Sequence, residues 1–163
     1  WEVAIPGFLD WSVLTAVALV VIGAAHATAM LKGEDATPLL TADESILGTA
    51  PMPAWRGTAI AEIQAFSADG ALDLTVPHPV GDIPSLLQLG FRVTENLVHG
   101  FDVAHALGLD YTIADDLAEY ALDVWRPHTN LLEASEHFGP TRAVAADASP
   151  ADRLLALMGR RPA

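Results

Sequence analysis

Apolar positions set the organisation of this chain. From Trp11 to Leu31 no charged residue occurs, and Val13–Ile22 is apolar apart from Thr15. Asp10 or Ser12 can cap a helix there, and Lys32-Gly33 supplies a cation and a helix-ending glycine at its far end. Residues 34–57 carry Pro38, Gly48, Pro51, Pro53 and Gly57 and predict a long loop. A second helix is expected from Thr58 to about Ala68, with Ile60, Ile63 and Phe66 on one side and Asp69-Gly70 at its end. The alternation in 72–76 predicts a short strand, stopped by Pro77, Pro79 and Gly81. A third helix follows Asp82, takes Pro84 into its first turn and closes at Gly108. A fourth runs from about Ala114, with Asp115 and Asp116 at its positive end, to Trp125 before Pro127. Residues 128–140 read as irregular, 143–145 as a short strand and 150–159 as a last helix. Four main helices with little strand predict a mostly α-helical bundle occupying 1–163 as one domain.

The first apolar stretch is long enough to cross a bilayer, which takes about 20 residues. Its many alanines, together with Gly23, His26 and two threonines, dilute it below a Leu/Ile/Phe-rich span, and Glu2 and Asp10 stand where a signal peptide would carry positive charge. A helix apolar on all sides is also the central member of a helical bundle, and that reading is kept, with no membrane partner.

Charge narrows the partners. The 163 residues hold 8 Lys+Arg against 21 Asp+Glu, a net charge of −13. Such a surface repels phosphate backbones, so nucleic acid is not expected as a partner. Absence of Cys removes disulfides and thiolate chemistry and fits a cytoplasmic protein without requiring that location.

The third helix carries the candidate chemistry. Gln88, Arg92, Glu95, His99 and Asp102 recur at steps of four, three, four and three, which puts them on one face. Their neighbours are apolar, so this polar stripe is expected to face something other than bulk water. Glu95 and His99 can both reach a divalent metal if another helix supplies a third ligand, and Asp102 can hold the other imidazole nitrogen. The stripe also reads as a network of ion pairs needing no metal, Arg92 with Glu95 and His99 with Asp102. Elsewhere, His105 belongs to another helical face near the surface. His78, His128 and His137 read as turn or loop histidines.

The run from Arg92 to Ala104, Arg-Val-Thr-Glu-Asn-Leu-Val-His-Gly-Phe-Asp-Val-Ala, resembles the signature helix of the DinB-like superfamily. Within it, the branch related to mycothiol-dependent maleylpyruvate isomerase is most similar. Residues 148–160 resemble that branch's C-terminus, Asp10-Trp-Ser-Val13 its Trp-started helix, and Met30-Leu-Lys-Gly-Glu34 the end of that helix. The resemblance implies a four-helix bundle whose first helix would precede Trp1. It also implies a metal held by a His on the Trp-started helix and by a carboxylate–x3–His pair, which maps onto Glu95 and His99. The first ligand falls on Leu19, which has no lone pair to donate, so two protein ligands remain. His26 lies seven residues further, about 10 Å along the axis, and is expected to line the cavity rather than replace the ligand.

What remains is a pocket with Trp11, Thr15, Leu19, Ile22 and His26 on one wall, and Arg92, Glu95, His99 and Asp102 facing them. Three functions fit. One is a metal-independent isomerase or cyclase for an apolar small molecule, with Glu95 and His99 as acid/base pair and Arg92 holding an anion. Another keeps the family's chemistry, with zinc or nickel on Glu95 and His99 and mycothiol as thiol cosubstrate. The third is a non-catalytic protein that binds a hydrophobic metabolite. A homodimer suits any of them.

Overall fold

A computed structural model describes residues 1–7, 11–133 and 138–161, and for Glu133 the backbone alone. Asp10, expected as a possible cap, and His137 lie outside the described residues. The described chain is predominantly α-helical, as its patterning predicts, and divides into two compact units, 1–109 and 110–163.

The first unit is built on α1 (Val13–Lys32). Ser12 begins it with a capping box, accepting from the Thr15 N–H while the Thr15 hydroxyl accepts from the Ser12 N–H. Gly33 ends it in the left-handed conformation at φ 69°, which glycine adopts without a Cβ clash. Ahead of the helix, residues 1–5 fold back along 11–14. The Ile5 N–H donates to the Trp11 carbonyl, and the Val13 and Leu14 N–H groups donate to the carbonyls of Val3 and Trp1. Two first-turn donors that a helix leaves unpaired are thereby satisfied.

Two 3₁₀ turns, Thr37–Thr41 and Glu44–Leu47, lead into α2 (Pro51–Phe66). The helix therefore begins seven residues before the expected Thr58, inside the predicted loop. Pro51 and Pro53 sit in its first turn, where a missing N–H costs nothing because those donors have no partner within the helix. They start the helix instead of preventing it, and Gly57 is carried in its interior.

The expected strand lies further along, as β1 (Thr75–His78), which pairs antiparallel with β2 (Gly81–Pro84). Asp82 and Pro84 thus belong to a hairpin rather than to a helix start, and Pro84 is the residue just before α3 (Ser85–Leu107). Pro77 lies opposite Asp82 and Pro84 opposite Thr75. Val76 and Ile83, directly paired, turn inward and fix the register.

Both α2 and α3 pack against α1. Val13 and Ala16 join Ile5 in one apolar cluster with Val103 and Ala106 of α3. Ala18 and Val21 join Leu47 in another, with Ile46 of the second 3₁₀ turn and Ala54 of α2 against it. The predominantly apolar α1, whose most apolar 18-residue window has mean hydropathy 2.0, thus serves two helical neighbours.

The second unit contains α4 (Asp115–Trp125), the 3₁₀ turn Arg126–His128, α5 (Thr129–Glu133) and α6 (Pro150–Leu157). α5 occupies part of the stretch expected to be irregular, and 141–145 forms no strand. α4 packs on α6, Glu119 pairs with Arg153, and Phe138 lies between the Trp125 ring and the Arg160 guanidinium. Of the four helices expected to make the bundle, the first unit holds three.

The Ser12 cap gives a direct measurement. Replacement by Ala should cost about 1 kcal/mol, read as a lower urea midpoint with an unchanged slope. Ser12→Asn should retain most of that stability.

Candidate functional site

A buried cation organises the first unit. Arg92 on α3 is 2% exposed, and a guanidinium in that position requires partners for its charge and its donors. Its Nε donates to Glu62 Oε1 of α2 at 2.6 Å, one terminal nitrogen pairs with Glu95, and the other donates to the Val20 carbonyl of α1 at 3.0 Å. Burial alone would favour the neutral form, but the Glu95 and Glu62 carboxylates outweigh it and hold the guanidinium above its ordinary pKa.

Gly23 makes this approach possible. A Cβ there would overlap the Arg92 guanidinium and stand 2.9 Å from a Glu95 carboxylate oxygen. The backbone angle is ordinary, so the glycine is needed for space and not for conformation.

The expected stripe is buried as its spacing predicts: Gln88, Arg92, His99 and Asp102 are all inaccessible, and Glu95 is partly exposed. Its members pair along the helix, Arg92 with Glu95 and His99 Nδ1 with Asp102 Oδ2 at 3.2 Å. The ion-pair alternative therefore describes the geometry. Trp11 lies against His99, with ring centres 5.7 Å apart. Gln88 Oε1 is buried and has no hydrogen-bond partner among the described residues.

The opposite wall divides. Thr15, Leu19 and Ile22 line a cleft of 450 Å³ whose other side is the turn 42–45. No member of the α3 stripe lines it. The face of α1 toward α3 instead carries Val13, Ala16, Val20 and Gly23, at helical steps of three and four. Among the described residues the expected wall is therefore split: Thr15, Leu19 and Ile22 turn to this cleft, while Trp11 meets His99 and His26 lies near Glu95 and Arg92. At the cleft edge the Thr15 hydroxyl donates to Glu44 Oε1 at 2.5 Å, and Asp43 Oδ1 accepts from the Ser45 N–H.

His26, the last position of the stripe, leaves this cleft and meets His78 of β1, ring centres 6.3 Å apart. His78 also lies 5.8 Å from Phe91. Burial lowers the His26 pKa; Glu95 opposes that shift and Arg92 adds to it. Burial lowers His78 as well, with His26 adding to the effect and Glu95 opposing it. Glu95, His26 and His78 therefore share one electrostatic neighbourhood.

Glu62 and His78 are the two members that sequence reasoning misses. Glu62 is the only acid in α2, a usable sign once a buried arginine is expected to need a second carboxylate. His78 carries no such sign, because the hairpin that delivers it is non-local. His105 lies on the surface, as expected, stacked on Phe101.

A three-ligand metal centre does not fit these residues. Leu19 faces the 42–45 cleft and has no lone pair to donate, and the Arg92 guanidinium paired with Glu95 opposes a dication beside it. Among the described residues no group of three His, Asp or Glu side chains is placed to hold a metal ion.

No family model matches the chain, and no solved structure matches it. Two uncharacterized proteins of Mycobacterium tuberculosis, from strains CDC 1551 and H37Rv, are each 30% identical to it over 103 residues. The match covers 60% of this chain and 54% of each relative, so the chain spans about half their length.

Two measurements follow from the buried cation. In an ordinary helix Gly→Ala stabilises by about 0.5–1 kcal/mol, whereas Gly23→Ala should destabilise by about 1–3 kcal/mol. Much of that loss should disappear in the background Arg92→Met, a coupling that a double-mutant cycle reads directly.

The second concerns pH. With folded values below the ordinary 6.5, His26 and His78 bind fewer protons in the folded state than in the unfolded one. Their contribution is fully present above pH 6.5 and is lost as pH falls through the folded values. Denaturation curves should show this acid loss, and the double variant His26→Gln/His78→Gln should flatten it.

Proposed function

We propose that this chain is a DinB-like helical protein whose metal site has been given up, and that it binds a small apolar molecule between α1 and the 42–45 turn. One observation carries the reading: Thr15, Ala18, Leu19 and Ile22 form an apolar floor for a 450 Å³ cleft, at the very residue where the resembled family would place its first ligand. A concave, mostly apolar surface with a few fixed polar groups is the usual form of a small-molecule site. The side chains suited to acid–base work lie elsewhere and are committed to each other, Arg92 to two carboxylates and His99 to Asp102. Binding without turnover accounts for both facts, and the cytoplasm is the proposed location.

An enzymatic reading has one specific point in its favour. Asp102 at His99 Nδ1 is the arrangement that orients an imidazole for proton transfer through Nε2. A substrate there would have to reach a side chain that is 3% exposed.

A compact neutral probe, 1-adamantanol, separates the readings. At ten times its Kd it should stabilise the protein by about 1.4 kcal/mol, seen as a raised Tm, and Leu19→Asp should abolish the effect. The probe should be recovered unchanged. Loss of binding only in His99→Ala, with Leu19→Asp still competent, would overturn the cleft as the binding site. Turnover of any apolar candidate that disappears in Glu95→Gln and His99→Ala would favour the enzyme.

A further inference from the structure

The cleft has two chemically different sides. Its floor is hydrocarbon, from Ala18, Leu19 and Ile22, and its wall carries the carboxylates of Asp43 and Glu44 beside Ser45. No lysine or arginine lines it. We infer that the cleft selects compact apolar molecules bearing a protonated amine, the cation meeting Asp43 and Glu44 while the hydrocarbon body covers Leu19 and Ile22. This rests on the proposed binding function and adds the ligand's charge to it.

Both acids are held by local bonds. Glu44 takes the Thr15 hydroxyl on Oε1, and Asp43 takes the Ser45 N–H on Oδ1, so both carboxylates are oriented at the cleft. Carboxylates already fixed in place lose little side-chain freedom when a cation arrives. Hydrogen bonding from the Ser45 side chain, and then from its N–H, keeps Asp43 below the ordinary carboxylate range, so it is ionised at neutral pH. The net charge of −13 acts in the same direction, raising the local concentration of cations and lowering that of anions. An anionic metabolite with the same hydrocarbon body meets two like charges at the rim and nothing to offset them.

Three isosteric probes test this on the intact, isotope-labelled chain: 1-aminoadamantane, 1-adamantanol and adamantane-1-carboxylate, followed by amide shifts at neutral pH and low salt. The amine should bind roughly threefold to tenfold more tightly than the alcohol, as expected for partly exposed ion pairs, and the carboxylate most weakly. Shifts should centre on 15–22 and 42–45. The difference between amine and alcohol should close in Asp43→Asn/Glu44→Gln, whose amides still accept the two local bonds, and also at about 0.5 M NaCl. Equal affinities for all three probes, with shifts still in the cleft, would overturn the charge preference and leave the binding function standing. An amine preference that survives in the double variant would also overturn it. Absence of shifts at 15–22 with every probe would overturn the binding function itself.

Discussion

The first unit is constrained above all by the need to neutralise one buried guanidinium. Arg92 belongs to α3, but its partners come from α1, α2 and its own helix. A charge so enclosed is stable only while every partner is in place, because removing a carboxylate leaves a buried ion uncompensated. The apolar clusters bring the helices together without prescribing a unique alignment, since alanine and valine faces can slide. The fork of hydrogen bonds from Arg92 to Glu62, Glu95 and Val20 supplies the missing direction. Gly23 is the corresponding concession on α1, a gap cut to the shape of the guanidinium.

That knot also determines where chemistry is available. Arg92 pairs with the Glu95 carboxylate and sets a positive charge beside it, and Asp102 holds His99 Nδ1 one turn later. The open concave surface of α1 is a separate place, facing the 42–45 turn and floored by small hydrocarbon side chains. Packing against α3 and the cleft thus lie on different faces of the same helix.

Much of this was legible in the sequence. α1 could be placed to within a residue or two because both its ends carry local signals, Ser12 and Gly33, and Gly108 marks the end of α3. The burial of the α3 stripe followed from its spacing and apolar flanks. The start of α2 was missed because proline and glycine were read as loop residues, although a first turn accepts proline readily. The hairpin was missed because its strands hold four residues each, too few for alternation to speak clearly. The turn of Thr15, Leu19 and Ile22 away from α3 was hidden for a different reason: periodicity says which residues share a face, but not which neighbour that face meets. Only the Arg92 contacts to Val20 and Glu62 decide that rotation.

The small hairpin has a consequence of its own. A two-stranded ribbon has two free margins, each a template on which a foreign strand could crystallise into a larger sheet. Here β1 contains Pro77 and β2 ends in Pro84, so both margins interrupt the row of amide donors that such growth needs. The ribbon can deliver His78 to its place beside His26 while remaining a dead end for β-assembly, which suits a mostly helical protein that must keep a short extended segment near its surface.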